Sequence, residues 1–133
     1  MIELLQTKSI DLVCLAGFMR ILGKKFIEAF SGKIINIHPS LLPAFPGLNV
    51  QEKALEQGVK FSGCTVHFVN EEVDGGAIIA QAVVPILDED DVQSLSSRIL
   101  EQEHIIYPEA IRLIIEDDLE FSDRRITRKT KGN

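Results

Sequence analysis

Asn36 and His38 stand two residues apart in the run Ile34-Ile35-Asn36-Ile37-His38-Pro39-Ser40-Leu41-Leu42-Pro43. One side chain is a fixed dipolar donor, and the other titrates near neutral pH. Successive side chains of a strand point to opposite faces, so 36 and 38 project together while Ile35 and Ile37 take the other side. Pro39 holds His38 in extended geometry, and the strand therefore presents its imidazole at its C-terminal end. In an open parallel sheet that end is where ligands bind. A lone histidine beside an apolar strand is usually a packing residue. An amide on the same face, with a proline-rich loop directly after, sets a working pair against that role.

The elements that must position this pair follow from the pattern around it. Residues 1–7 read as the last turns of a helix. Ile10 to Leu15 is an apolar run interrupted only by Asp11, which suggests a strand covered on both faces. Phe18 to Gly23 is an apolar loop suited to a pocket wall or to the core. Lys24 to Phe30 reads as a short helix stopped by Gly32, and Lys33 to Ile37 as the strand that completes a βαβ unit. Residues 39–47 form an irregular loop with three prolines and a glycine. Val50 to Gln57 is a helix closed by Gly58. Gly63 to Val69 alternates as a strand, which places His67 mid-strand against a neighbouring element. The acidic turn Asn70 to Gly76 leads to a further strand, Ala77 to Pro85, paired with the previous one. Asp90-Asp91 suits the dipole at the start of a long helix, Val92 to Glu116. Leu95, Ile99, Ile106, Ile111 and Ile115 supply much of its apolar stripe, and Pro108 predicts a kink or break. Ser122-Asp123 reads as a turn.

The chain has 133 residues, 26% charged and 45% apolar, which suits a single soluble domain with its own core, residues 1–133. No apolar run reaches membrane-spanning length and the N-terminus lacks a signal-peptide pattern, so no membrane partner and a cytoplasmic location are expected. Cys14 and Cys64 lie far apart in apolar runs and are expected to be buried small hydrophobes. A net charge of −6 argues against sequence-independent nucleic-acid binding. Five basic residues, Arg124, Arg125, Arg128, Lys129 and Lys131, crowd the last ten positions and read as a solvated, partly frayed tail. Glu71, Glu72 and Asp74 lack the longer, regular ligand spacing of a calcium loop, and no metal site is expected.

Ala16-Gly17-Phe18-Met19-Arg20-Ile21-Leu22, then Asn36 to Pro43, then Asp74-Gly75-Gly76 together resemble the formyltransferases that use 10-formyltetrahydrofolate. Phe45-Pro46-Gly47-Leu48 and Glu103-His104-Ile105-Ile106-Tyr107-Pro108 are similar to the glycinamide-ribotide branch, the phosphoribosylglycinamide formyltransferases of purine synthesis. The resemblance implies an α/β, Rossmann-like fold: a mostly parallel sheet with a C-terminal antiparallel strand pair and a long C-terminal helix. It implies that Asn36 stabilises an oxyanion, that His38 is a general acid and base, and that Asp74 holds His38 and an ordered water. It further implies that Met19, Arg20, Ile21, Leu22, Asn36, Asn70, Glu71, Glu72, Val73 and Asp74 bind the folate. Leu100, Glu101, Gln102 and Glu103 would contact the glycinamide ribonucleotide.

The sequence departs from this family at its front, where members carry a strand and a Gly-rich turn that holds the ribotide phosphate. It resembles roughly the last two-thirds of the family's length. The strand over residues 10–15 would then be an exposed apolar edge, which predicts self-association or pairing with an N-terminal polypeptide supplied separately. Alternatives are a formyltetrahydrofolate deformylase, in which water replaces the amine, and a truncated, non-catalytic folate-binding fragment. A methionyl-tRNA formyltransferase fits less well, because residues 45–47 match the purine enzyme better and no tRNA-binding extension follows.

Overall fold

The computed structural model describes residues 12–16, 33–70, 75–116, 119–122 and 124–129. The helices expected over residues 1–7 and 24–30 and the loop over 18–23 lie outside these residues. Six strands form one sheet: β1 (Val13–Ala16), β2 (Ile34–His38), β3 (Phe61–Phe68), β4 (Ile78–Pro85), β5 (Leu119–Ser122) and β6 (Arg125–Arg128). Two helices are described, α1 (Val50–Gln57) and α2 (Val92–Ile115). Spatial order is β1-β2-β3-β4-β6-β5.

The α/β class and the long C-terminal helix are as expected, and β1 pairs β2 in parallel. The sheet is more mixed than a parallel sheet with one antiparallel pair. β3 runs antiparallel to both β2 and β4, β5 runs antiparallel to β6, and β4 pairs β6 in parallel. The reason lies in the connection after β2. His38 pairs with Thr65 and Ile35 with Phe68, so β3 begins beyond the C-terminal end of β2 and runs back along it. Loop 39–49 and α1 never recross the sheet, as a parallel connection would require.

Alternation along β2 and β3 sorts their side chains onto two faces. Ile35, Ile37, Cys64, Val66 and Val84 pack with Leu95, Ile99 and Ala110 of α2 to form the core. The opposite face carries Asn36, His38, Thr65 and His67, since Asn36 is opposed to His67 and His38 to Thr65. Cys64 is buried as expected, whereas Cys14 is exposed at the sheet's β1 edge.

α1 begins after Asn49, which has φ 56° and makes no side-chain cap. It ends at Gly58, whose φ of 72° suits a residue without Cβ and whose N–H donates to Leu55 O at 3.2 Å. α2 starts with a reciprocal cap: the Ser94 N–H donates to Asp91 Oδ1 at 2.7 Å, and the Asp91 N–H to Ser94 Oγ at 3.0 Å. Of the kink or break expected at Pro108, the break does not occur: the helix runs unbroken through it. Proline removes only the bond to the His104 carbonyl, and the buried Ala110 and Leu113 hold the following turns to the sheet. Ile115, placed on the apolar stripe by its spacing, is 72% exposed at the helix end.

Of the basic tail, Arg124, Arg125, Arg128 and Lys129 are exposed, as a solvated segment should be, but residues 125–128 are a strand and not a frayed end. Arg125 and Arg128 bound β6, where Arg125 pairs with Ile78. Arg124 donates to the Gly75 carbonyl, and Arg128 Nη2 lies 2.8 Å from Glu109 Oε1. Specific acceptors on neighbouring elements thus fix a segment whose composition alone suggests fraying. Among the described residues no helix is long and apolar enough to cross a membrane.

Candidate active site

Asn36 and His38 share one face of β2, as their spacing predicts. His38 is the last strand residue and only 6% exposed. Its Nε2 lies 3.0 Å from the Phe45 carbonyl oxygen. A carbonyl only accepts, so this hydrogen bond places a proton on Nε2. Asn36 is half-buried, and its Oδ1 is sealed from solvent with no hydrogen-bond partner among the described residues. A buried acceptor in that state is costly, and such atoms mark places where a ligand or ordered water belongs.

The loop after β2 is held by residues that a reading of the sequence alone does not single out. The Thr65 hydroxyl donates to the Ser40 carbonyl at 2.7 Å and accepts from the Leu42 N–H at 3.1 Å. Gln81 Nε2 donates to the Leu42 carbonyl at 2.9 Å and to Thr65 Oγ1 at 3.0 Å. Ser40 Oγ, in turn, lies 2.7 Å from the Ala44 carbonyl and 3.0 Å from that of Phe45. Phe45 itself has φ 51°, a left-handed conformation that turns the chain back. A Cβ at Gly63 would meet Leu41 Cδ2 at 2.7 Å and collide with the Ala82 carbonyl, so the bare glycine lets the loop lie on β3. The available signal for this set was Gln81, the one polar residue in Ile78-Ile79-Ala80-Gln81-Ala82-Val83-Val84.

Beyond Asn36 the same face leads towards the acidic turn. His67 is 2% exposed, opposes Asn36, and has Nδ1 2.9 Å from the Phe68 carbonyl oxygen. The Val69 N–H donates to the Ile34 carbonyl at 2.8 Å, and exposed Asn70 follows. Asn36 thus lies between His38 and the start of this turn. At its far end a Cβ on Gly76 would collide with the Phe68 carbonyl, so that glycine allows the strands to close. Asp74, Glu71, Glu72 and Val73 lie outside the described residues, as do Met19, Arg20, Ile21 and Leu22.

Leu100 and Glu101 are exposed on α2, while Gln102 and Glu103 are half-buried. Burial raises the Glu103 carboxyl above its ordinary range, and neighbouring His104 partly opposes the shift. Burial, and then the charge of Glu103, pushes the Cys64 thiol up to about 12. Cys64 belongs to the helix-covered face, whereas Asn36 and His38 turn to the other face. Tyr107, four residues on, donates to the Leu15 carbonyl at 2.5 Å and to that of Ile35 at 3.3 Å. It ties α2 to the backbones of β1 and β2, which gives part of the Glu103 to Pro108 stretch a structural role.

A family model described as formyl transferase matches residues 1–111. The chain belongs to the formyl transferase family. Within it, this formyl transferase chain is 52% identical over 121 residues to the phosphoribosylglycinamide formyltransferase of Haemophilus influenzae, covering 91% of this chain and 57% of that protein. Among solved structures, phosphoribosylglycinamide formyltransferase from Anaplasma phagocytophilum matches with a TM-score of 0.93 at 50% identity, covering 98% of this chain and 65% of that one. A formyltetrahydrofolate deformylase from Pseudomonas syringae pv. tomato matches with a TM-score of 0.90 at 31% identity, covering 96% and 43%. The chain thus spans under two-thirds of the length of each of these relatives.

Proposed function

We propose that this chain provides the catalytic and folate-binding part of a phosphoribosylglycinamide formyltransferase, passing a formyl group from 10-formyltetrahydrofolate to the amine of glycinamide ribonucleotide in purine biosynthesis. The observation that carries this reading is the partnerless, buried Oδ1 of Asn36 beside a histidine whose Nε2 proton is pinned. The folate supplies the formyl carbon: a bond forms from that carbon to the incoming amine nitrogen, and its bond to the folate nitrogen breaks. Asn36 donates its amide N–H to the negative charge developing on the formyl oxygen, and its Oδ1 remains to accept from the amine. His38 carries a proton on Nδ1, taken up as the amine loses one and released as the folate nitrogen gains one. Asp74 favours the charged ring.

In this reading residues 1–133 act as one formyltransferase domain in the cytoplasm. Met19, Arg20, Ile21 and Leu22, with Asn70 to Asp74, enclose the folate, and Leu100 to Glu103 face the ribotide. No step calls for a metal, a nucleic acid or a membrane. β1 is the outermost described strand on its side of the sheet, and its edge would pair with a second copy or with a separate polypeptide. Light scattering across a concentration series checks this edge pairing; a monomer at every concentration and no gain of activity on adding the unmatched segment of a relative would refute it.

The deciding assay is formyl transfer to glycinamide ribonucleotide, with and without that added segment. His38→Ala should lower kcat by roughly 10²–10⁴, and an unchanged rate would reject the mechanism. Formate release in the absence of ribotide would instead identify a deformylase. Folate binding by calorimetry without either reaction would identify a binding fragment.

A further inference from the structure

We propose that Gln81 is a positioning residue for His38, acting through Thr65 and the Leu42 peptide; this rests on the role given to His38 above. Gln81 reaches across from β4, two strands away from His38, and lies opposite Thr65 in the β3–β4 register. One amide nitrogen meets two acceptors, the Leu42 carbonyl at 2.9 Å and Thr65 Oγ1 at 3.0 Å. The Thr65 hydroxyl has one proton to give and gives it to the Ser40 carbonyl. Its lone pairs receive the Leu42 and Gln81 donors, so its capacity is full and its direction fixed. Both polar groups of the Leu42 peptide are thereby bound by side chains of β3 and β4.

What that clamp sets is the path of residues 40–45. Ser40 Oγ and His38 Nε2 both meet the Phe45 carbonyl at 3.0 Å. The carbonyl that selects the tautomer of His38 is therefore aimed by the loop, and the loop is latched by Gln81. Gln81 is an exposed strand residue on the face opposite the helix-covered one, to which its neighbours Ala80 and Ala82 turn, and its amide is nonetheless held by the two acceptors named above. Removing the donor frees the Leu42 carbonyl, loosens the Phe45 carbonyl and admits the tautomer protonated on Nδ1.

The test uses the full chain labelled with ¹⁵N-histidine, with the His38 ring assigned by His38→Gln among the three histidines. Gln81→Met keeps the length of the side chain but donates nothing. It should shift the His38 ring nitrogens towards a mixture of tautomers. Where formyl transfer is measurable, kcat should fall about three- to ten-fold with KM nearly constant, the scale of one lost hydrogen bond. Gln81→Glu should show the same defect at neutral pH, where its carboxylate faces the Leu42 carbonyl, and recover as that carboxylate is protonated. Wild-type ring shifts in both variants would overturn the proposal, even if their melting temperatures fall. The ring signals decide this without turnover, so an inactive wild-type chain would count against the proposed function and leave the test of Gln81 intact.

Discussion

Thr65 is fully buried, and its hydroxyl serves three partners at once. Valine has nearly the same shape but leaves the Ser40 carbonyl and the Leu42 N–H without their partner. Stranding buried polar groups of this kind costs about 1–3 kcal/mol. Thr65→Val should therefore lower the unfolding free energy read from a urea titration by that amount, while Thr65→Ser, which keeps the hydroxyl, should lose less than half as much. Equal losses in the two variants would show that the methyl group, and not the hydrogen bonds, matters here. Asn36 and His38 were legible from their spacing, because a period of two assigns faces within a single strand. Thr65 and Gln81 were not, because their partners are backbone groups of a loop that only the register of three strands brings near.

At the next scale, the start of α2 shows how a helix is anchored by charge. Asp90 accepts from both Arg98 guanidinium nitrogens at 2.8 Å and from the Leu87 N–H at 2.7 Å. The Arg98 contact first, and then the Leu87 N–H, hold its carboxyl well below the usual carboxylate range. A group whose folded pKa is depressed stabilises the protein above its unfolded pKa, near 4, and that contribution drains away as pH falls towards the folded value. Asp90→Asn should thus lower the melting temperature at pH 7, and the gap to wild type should narrow steadily below about pH 4. A gap that is constant from pH 7 to pH 3 would show that the carboxylate's charge is not what anchors the helix. Acidic residues at this point were visible in the sequence, and α1 follows the predicted bounds because Gly58 ends it. The basic tail is solvated as its composition suggests, but the strand within it was not legible, because β6 is fixed by acceptors from distant residues, the Gly75 carbonyl and the Glu109 carboxylate, which a local pattern does not contain.

Across the whole molecule the sheet separates two tasks: one face and α2 make the core, and the other carries the polar row from His38 to the acidic turn. The mixed strand directions escaped a local reading, since an apolar run records burial on both sides but not the direction of its neighbour. Ile99 is 1% exposed and packs in the cluster that joins β2, β3, β4 and α2 among the described residues. Ile99→Ala removes three carbons from that junction and should cost about 2–5 kcal/mol. Domains of this kind are stable by only about 5–15 kcal/mol, so the loss should be felt everywhere at once. If the two faces belong to one cooperative unit, the urea midpoint falls while the slope of the transition is unchanged. The His38 ring signals, on the opposite face, should then disappear at the same urea concentration as the helical signal of α2. Loss of the helical signal while the native His38 resonances persist would show instead that the polar face folds without the helix.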